Sequence, residues 1–334
     1  MNVVIKILGK LHRNFKVLFY CLFVSKEQKL RNSKSNFIWN RTIATSCGAY
    51  PVYFPRRREI TDTFWGNIFL LTRFFVWMSY RDINRKLEKN NSVYVSLNEM
   101  GTFMKRVLPK IRVPFVLVTG DSDYSTSRFE EILENEYLIH WFAQHNDIDN
   151  KMITTIPACL DFHTLIACPY FREKKKSAAR QEKEFSDIIK IKPKKRLKVF
   201  MNSHLSCTNE RRNELYEILK DNPCIYFQKE LMSRSKMWRL QNNYAFNFSP
   251  AGNGTDAHRT WESLLLGQVP IVEKTGTPMD DLHRQFPIVI IDDVSEICEE
   301  NLEKWHEKYS RMLDKKLASK LTNAYWIKLI NSKK

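Results

Sequence analysis

The chain has 334 residues, of which 43% are hydrophobic and 13% aromatic. This excludes a disordered or fibrous protein, because enough apolar side chain is present for a substantial core. Lys and Arg total 54 against 37 Asp and Glu, a formal net charge of +17, and such a surface attracts nucleic acid, acidic membranes or nucleotide phosphates. The longest uninterrupted apolar run near the start, 17–24, has eight residues, whereas a membrane span needs about 20.

From about residue 92 the sequence alternates between patterns typical of strands and of helices. The run FVLVT at 115–119 is continuously apolar and β-branched, which is typical of a strand buried on both faces of a parallel sheet. The predicted strands of this half are 92–97, 115–119, 138–142 and 153–156. Its predicted helices are 100–110, stopped near Pro109, and 128–134.

A basic segment separates this half from a second half with the same alternation. Between residues 172 and 198, twelve residues are Lys or Arg and four are Asp or Glu, which is typical of a solvated linker or helix face. The predicted strands that follow are 197–202, 224–227, 244–248, 269–272 and 288–291. The predicted helices are 209–220 with Thr208 as N-cap, 229–241, 256–266 ended by Gly267, and 317–329.

Strand–helix alternation on both sides of a linker predicts an α/β protein with two Rossmann-like domains that face a cleft. The first domain is expected at 1–165, the basic linker at 166–196 and the second domain at 197–334. Ligands of such sheets bind at the carboxyl ends of the strands. The loops that follow the predicted strands are therefore where functional residues are expected.

One of these loops holds two glycines. The chain has only nine glycines, and four of them fall within the stretch 252–276. Two of these, Gly252 and Gly254, lie in the loop between the predicted strand 244–248 and the next helix, which is called the glycine loop below. Glycine lets the backbone approach a ligand closely, and the N–H groups at the start of the next helix suit a phosphate. The candidate binding residues here are Ser249, Gly252, Asn253, Gly254 and Asp256, the last as the N-cap of that helix.

The first turns of the same helix carry side chains that suit the rest of a nucleotide diphosphate. Arg259, beside His258, can donate two hydrogen bonds to a diphosphate. Glu262 lies one turn further on the same face, where a carboxylate can accept hydrogen bonds from both hydroxyls of a ribose. The alternative is that Arg259 and Glu262 form a surface ion pair and that His258 is an ordinary polar helix residue.

The segment HRTWESLLLGQVPIV at 258–272 resembles the donor-binding segment of nucleotide-sugar glycosyltransferases with the two-domain GT-B fold. Its W-x-x-L-x-x-G-x-V-P-I-V run is similar to Lewis-type fucosyltransferases, and its R-x-x-E pattern after a Ser-Pro-x-Gly loop is similar to exostosin-like transferases. The resemblance implies that Arg259 binds the diphosphate and Glu262 the ribose. It also implies that Arg211 or Arg212, at the start of an earlier helix, contacts phosphate.

The resemblance implies the reaction as well. The donor would be a UDP- or GDP-sugar carrying xylose or fucose, the acceptor a glycan or protein-linked glycan, and the displacement inverting. In this fold the first domain holds the acceptor and the second the donor. The final helix crosses back, so Trp326 is expected to pack against residues 1–165. No cofactor besides the donor is required, and dependence on a divalent metal is left open.

An inverting transfer needs a base that takes the proton from the acceptor hydroxyl. Asp121 and Asp123 directly follow the predicted strand 115–119 and are the catalytic candidates. The alternative is a turn whose Asp caps the next helix. The Asp-Ser-Asp run also matches a short metal-binding motif of other transferases. Asp161 and His163 could line the cleft or belong to a hinge.

The cysteines and the composition bear on other functions. The seven cysteines form no CxxC pair and no zinc-finger spacing, so buried thiols are expected and no metal site is predicted. The charge, the eight Trp and the basic segment would also suit a nucleic-acid-binding protein, although no such module is recognisable and no nucleic acid is expected as a partner. A non-catalytic carbohydrate-binding relative would keep the fold and lack a base.

The location is inferred from sequons for N-glycosylation. They occur at Asn40, Asn90, Asn247 and Asn253, and glycans on the last two would block the predicted donor site. This favours a cytoplasmic protein, with peripheral contact to an anionic membrane through the basic segment as a further expectation.

Overall fold

The computed structural model describes residues 34–51, 79–167, 173–202, 210–228, 230 and 232–334. The apolar run 17–24, most of the first 78 residues and the predicted N-cap Thr208 lie outside the described residues. None of the helices in the described ranges is long and apolar enough to cross a membrane.

Within the described residues, the first sheet has four parallel strands in the order β1-β2-β3-β4. The strands are β1 Ser92–Ser96, β2 Phe115–Gly120, β3 Leu138–Ala143 and β4 Ile153–Thr155. All four predicted strands of this half are confirmed within a residue or two. Every residue of β2 is buried, which explains why this strand is a continuous apolar run rather than an alternating one.

One predicted helix of the first half is shorter than expected. The α-helices in the described residues of this half are α1 Asn40–Ser46, α2 Ile83–Lys89, α3 Met100–Arg106 and α4 His163–Ala167. The predicted helix 100–110 ends at Arg106 and is followed by the 3-10 turn Leu108–Lys110. Proline at 109 has no N–H group, so it cannot continue the α-helical hydrogen bonds.

The helix predicted at 128–134 is present as a 3-10 segment and not as an α-helix. Thr126–Glu134 is a 3-10 segment whose backbone is non-helical at Phe129. Its first residues are bonded elsewhere, because the carboxylate of Asp147 accepts hydrogen bonds from the N–H and the hydroxyl of Ser127 at 2.8 and 2.6 Å. Such side-chain bonds compete with the regular helical pattern.

The described part of the second sheet has five parallel strands in the order β6-β5-β7-β8-β9. The strands are β5 Arg196–Asn202, β6 Ile225–Gln228, β7 Tyr244–Phe248, β8 Val269–Glu273 and β9 Val289–Ile291. These strands confirm the predictions for the second half. Two parallel sheets flanked by helices confirm the predicted α/β class with two Rossmann-like halves.

One helix lies inside the predicted basic linker. The helices from here onwards are α5 Ala178–Lys190, α6 Arg211–Leu219, α7 Arg234–Gln241, α8 His258–Leu265, α9 Pro278–Arg284, α10 Glu299–Ser310, α11 Lys315–Lys320 and α12 Asn323–Asn331. Helix α5 buries Phe185 and Ile188, and the Phe185 ring packs on Trp238 of α7 with centroids 4.5 Å apart. The many charges of the segment concealed this apolar face.

Some of the basic residues of this segment stabilise the fold. The ammonium group of Lys195 donates hydrogen bonds to the carbonyl oxygens of Asn242 and Leu266 at 2.7 and 3.0 Å. Lys176 pairs with Glu173 and Glu184 at 2.7 and 2.6 Å. The expected contact of the segment with an anionic membrane stays a prediction.

The last predicted helix, 317–329, is divided in two. Helix α12 starts afresh after Thr322, whose hydroxyl accepts a hydrogen bond from the N–H of Tyr325. Trp326 is 2% exposed and belongs to a core cluster with Trp39 of the first half. The side-chain oxygen of Asn323 accepts a hydrogen bond from the N–H of Trp39 at 2.8 Å. Asn323 thus bonds with the first half, whereas the packing of Trp326 itself against residues 1–165 stays a prediction.

Candidate active site

Loops at the carboxyl ends of the two sheets contact each other. His145, two residues after β3, lies against the glycine loop that follows β7. The N–H of Asp256 donates to His145 Nδ1 at 3.3 Å, and a Cβ atom on Gly254 would lie 2.5 Å from His145 Cε1. Only glycine fits at position 254 without displacing the imidazole.

The glycine loop also lies at the point where the order of strand addition in the second sheet reverses. Strand β6 is added on one side of β5, whereas β7, β8 and β9 are added on the other. In parallel α/β sheets, ligands bind outside the carboxyl ends of the strands at this switch point. The topology therefore singles out the loop after β7 as a binding position.

The two predicted catalytic aspartates lie on the first-half side of this contact. Asp121 has a left-handed backbone, with φ +55°, and its Oδ1 lies 4.0 Å from His163 Nδ1. Asp123 is exposed, and its Oδ2 accepts a hydrogen bond from Asn253 of the glycine loop at 3.5 Å. Neither aspartate caps the following 3-10 segment, whose N-cap residue is Ser125.

Gln144, which sequence reasoning missed, holds the aspartate loop in place. Its side-chain oxygen accepts a hydrogen bond from the N–H of Asp121 at 3.1 Å. Its amide nitrogen donates to the side chain of Asn40 and to the carbonyl of Pro157 at 2.5 and 2.7 Å. A single Gln after a strand has no local signature, so only the fold shows this role.

Asp256 does not cap α8 as predicted. Helix α8 begins at His258 with Ala257 as its N-cap residue. The buried Asp256 carboxylate instead accepts hydrogen bonds from the N–H of Ala158 and from the indole N–H of Trp261, at 2.8 and 2.7 Å. A buried indole N–H requires such a partner. The carboxylate thus ties the two halves together and is enclosed by protein groups.

The pKa of Asp256 lies below its usual range, although burial alone would raise it. His283, whose Nε2 lies 3.5 Å from Asp256 Oδ1, and the N–H of Ala158 favour the ionised form. Asp256 is therefore a buried anion in the folded protein.

The glycine loop is shaped by groups of its own half. Arg212 donates hydrogen bonds to the carbonyl oxygens of Ala251 and Pro250 at 2.9 and 3.2 Å, and a Cβ on Gly252 would lie 3.3 Å from its guanidinium. Ser249 is buried, and its hydroxyl bonds with that of Thr260 in α8 at 2.9 Å. These two predicted donor-binding residues hold the loop against the start of α8.

Arg211, which precedes Arg212 in α6, has an exposed side chain. Its guanidinium pairs with Glu273 at the end of β8 at 2.7 Å and with Glu214 at 3.1 Å. A phosphate at this position would compete with both carboxylates for the guanidinium.

The first turn of α8 reaches across to the first half. His258 Nδ1 lies 2.7 Å from the carbonyl oxygen of Cys159, and Arg259 follows it, half-buried. Glu262 is buried, which raises its pKa, while Arg234 and a hydrogen bond from the Trp238 indole act in the opposite direction. Glu262 is thus not the surface carboxylate that the ion-pair alternative requires.

Asp161 and His163 also lie at this boundary, and both are linked to the second half. Arg234 of α7 pairs with Asp161 at 2.6 Å and also donates to the Asp161 carbonyl. Burial alone would raise the pKa of Asp161, but Arg234 and His163 hold it well below its usual range. Burial lowers the pKa of His163. Sequence reasoning missed Arg234, because nothing local marks a residue that pairs so far along the chain.

Comparisons with known proteins give no family. No family model and no curated protein matches the chain. Among solved structures, it is similar to the UDP-GlcNAc 2-epimerase of Methanocaldococcus jannaschii, solved with UDP-GlcNAc and UDP, at 14% identity, over 71% of this chain and 73% of that one, with a TM-score of 0.30. It is also similar to Alr3699/HepE of Anabaena, solved with UDP and glucose, at 11% identity, over 76% and 77% of the two chains, with the same TM-score. Likenesses this weak carry no conclusion about what the chain binds.

Proposed function

We propose that the chain is a glycosyltransferase that moves a sugar from a nucleoside diphosphate to an acceptor hydroxyl. The observation that carries the proposal is the contact of Asp123, in the loop after β2 of the first half, with Asn253 in the glycine loop, whose side-chain nitrogen lies 3.5 Å from Asp123 Oδ2. A donor on the second half would then lie next to a carboxylate on the first. A displacement at a sugar carbon needs the acceptor and its base on the side of that carbon opposite the leaving group, and two facing halves can provide this arrangement.

The proposed donor site is the glycine loop together with the start of α8. Ala257, the N-cap residue of α8, makes no side-chain capping bond, and in the proposal a phosphate binds to backbone N–H groups at the start of this helix. Arg259 would add a charge-assisted contact to the diphosphate, and Glu262 would accept hydrogen bonds from the ribose. Arg212 would act indirectly, because it fixes the carbonyl groups of Pro250 and Ala251.

In the proposed reaction the acceptor oxygen attacks the anomeric carbon while the bond to the diphosphate breaks. Asp121 or Asp123 takes the proton of the acceptor hydroxyl, and the nucleoside diphosphate leaves with the electron pair of the broken bond. Attack opposite the leaving group inverts the anomeric centre. A UDP- or GDP-linked xylose or fucose is the proposed donor, and a glycan or protein-linked glycan is the proposed acceptor.

A screen for nucleotide release tests the proposal. The full chain is incubated with UDP- and GDP-sugars, with and without glycan acceptors, and released UDP or GDP is measured. Asp123→Asn and Asp121→Asn keep the side-chain shape but remove the proton acceptor, so one of them should lower turnover by about 10²–10⁴-fold. Donor affinity should stay close to that of the parent.

Two outcomes would contradict this proposal. Stabilisation by a nucleotide sugar without transfer to any acceptor would indicate a non-catalytic sugar-nucleotide binder. Loss of about 1 kcal/mol of stability in both variants, with unchanged turnover per folded molecule, would make the aspartates structural turn residues.

A further inference from the structure

A second kind of chemistry is suggested by a group of three side chains beside the aspartate loop. Asp161 lies two residues before α4 of the first half, His163 is the first residue of that helix, and His258 is the first residue of α8 in the second half. One ligand atom from each of them lies within 4.8 Å of the others. Two imidazoles and one carboxylate are donors that first-row transition ions accept.

The imidazole of His258 is held in the form that a metal ligand needs. Its Nδ1 lies 2.7 Å from the backbone carbonyl of Cys159. A carbonyl oxygen can only accept, so Nδ1 carries the proton and the lone pair lies on Nε2. Ligating histidines usually donate their other ring N–H to a carbonyl or carboxylate, which fixes the tautomer and the ring orientation.

His163 presents a buried nitrogen that no group in the described part of the chain satisfies. Its Nδ1 is buried without a hydrogen-bond partner, although Asp161 Oδ1 lies only 3.2 Å away. The separation matches that of two neighbouring ligand atoms on one ion, which is about 3.3 Å for zinc bonds of about 2.0–2.1 Å. An ion between these two atoms would satisfy both.

The carboxylate of Asp161 is fixed by its surroundings. Arg234 binds Oδ2 at 2.6 Å, and the N–H of Thr164 donates to Oδ1 at 3.0 Å. Oδ1 therefore keeps its position towards His163 and can serve as a single-oxygen ligand. Asp121, with Oδ1 4.0 Å from His163 Nδ1, lies next to the group, where a fourth ligand or a water would bind.

The charges around the group favour a cation. Asp121, Asp161 and Glu262 are carboxylates that act on the group, and Arg234 and Arg41 are the guanidiniums that oppose them. The two carboxylates nearest to His163 Nδ1, Asp161 at 3.2 Å and Asp121 at 4.0 Å, would offset the charge of a divalent ion bound there.

We infer that Asp161, His163 and His258 form a binding site for a zinc-type transition ion that joins the two halves. The cysteine pattern could not indicate it, because this set contains no thiol. With two imidazoles among three ligands, the site should prefer Zn²⁺ or Co²⁺ to Mg²⁺, which favours oxygen ligands. The ion would bind without a sugar donor, so the inference stands apart from the proposed function.

The inference is tested by titrating the full chain, freed of metal with a chelator, with Zn²⁺ and with Co²⁺. Calorimetry should give one ion per chain, and the visible absorption of bound Co²⁺ should show nitrogen and oxygen ligands. His163→Gln and His258→Gln should each weaken binding of the ion by at least about 10-fold. Loss of a residue that only supports a metal ligand already weakens binding by about 10–100-fold, and these two residues are the proposed ligands themselves. His306→Gln, at an exposed helix position, is the matched control and should bind like the parent.

Three results would overturn the inference. They are a failure of both ions to bind at one per chain, unchanged affinity in both site variants, and binding of Mg²⁺ as tight as that of Zn²⁺. If one variant does not fold, as judged by its far-ultraviolet circular dichroism, the other still decides the question. Zn²⁺ should also raise the melting temperature of the parent and not that of the folded site variant.

Discussion

The carboxylate of Asp256, in the second half, accepts a hydrogen bond from the backbone N–H of Ala158, in the first half, at 2.8 Å. The same oxygen accepts the indole N–H of Trp261. One buried anion thus connects the loop after β4, the glycine loop and α8. The position of the donor-side helix relative to the first half depends on it.

Replacing this anion should destabilise the protein. Asp256→Asn keeps the shape but removes the charge, and hydrogen bonds to charged groups contribute about 1.5–3 kcal/mol. We expect the free energy of unfolding in urea to fall by about 2 kcal/mol. Asp281→Asn, in an exposed pair with Arg284 on α9, is the control and should change it by less than about 1 kcal/mol. Equal effects of the two variants would refute the anchoring role of Asp256.

The close approach of Gly254 to His145 predicts a coupled pair. Gly254→Ala would place a Cβ 2.5 Å from His145 Cε1, and overpacking of this kind costs about 1–3 kcal/mol. In the His145→Ala background the clash disappears, so the second substitution should cost less than it does alone. Gly101→Ala is the control, because a Cβ there meets nothing within 4 Å and Ala favours a helix by about 0.5–1 kcal/mol. Additive losses at 254 and 145 would contradict the contact.

The pair between Arg234 and Asp161 should be more important than its surface counterparts. Arg234→Met leaves the Asp161 carboxylate without its main partner, and removal of one member of a buried pair costs about 3–5 kcal/mol. Arg239→Met, at an exposed position of the same helix, keeps the helix and tests the charge alone. Chemical denaturation of both variants gives the comparison. A loss at Arg234 no larger than at Arg239 would show that the pair is solvent-screened.

How far the sequence could anticipate this structure depends on the distance between interacting residues. The strands were predictable because a strand buried on both faces, such as β2, appears in the sequence as consecutive apolar and β-branched residues. The glycine loop and Gly267, whose φ is +66°, were predictable because backbone demands are local. The roles of Gln144 and Arg234 were not predictable, since each side chain bonds with residues far away in the chain. Helix α5 was not predicted because its many charged residues are typical of a solvated linker.

Acid should weaken the fold through His140 on β3. Burial, together with the charge of Lys333, lowers the pKa of His140 to about 4, and its Nε2 bonds with the hydroxyl of Thr154 at 2.8 Å. The unfolded chain, with an ordinary histidine pKa of about 6.5, binds more protons between these two values. The free energy of unfolding should therefore fall as the pH drops from about 6.5 to 4.

His140→Gln isolates this contribution, because the amide can still bond with Thr154. The slope of the unfolding free energy against pH reports the number of protons taken up on unfolding. Between about pH 4 and 6.5 this number should be smaller in the variant than in the parent by up to about one. Above about pH 7 the two slopes should be equal. Urea denaturation at several pH values measures the slope. An unchanged slope below pH 6.5 would show that His140 titrates alike in the folded and unfolded chains.

The central claim, a nucleotide-sugar donor at the start of α8, is tested most directly by equilibrium binding. The parent and two variants, Arg259→Ala and Arg284→Ala, are titrated by calorimetry with UDP, GDP and their sugars. Arg259 is the proposed phosphate-binding residue, and Arg284, in an exposed pair on α9, is the control. We predict that one nucleotide family binds the parent and that Arg259→Ala loses about 1.5–3 kcal/mol of binding free energy, with Arg284→Ala unchanged. Equal affinity of all three proteins, or no binding of either nucleotide family to the parent, would contradict the account.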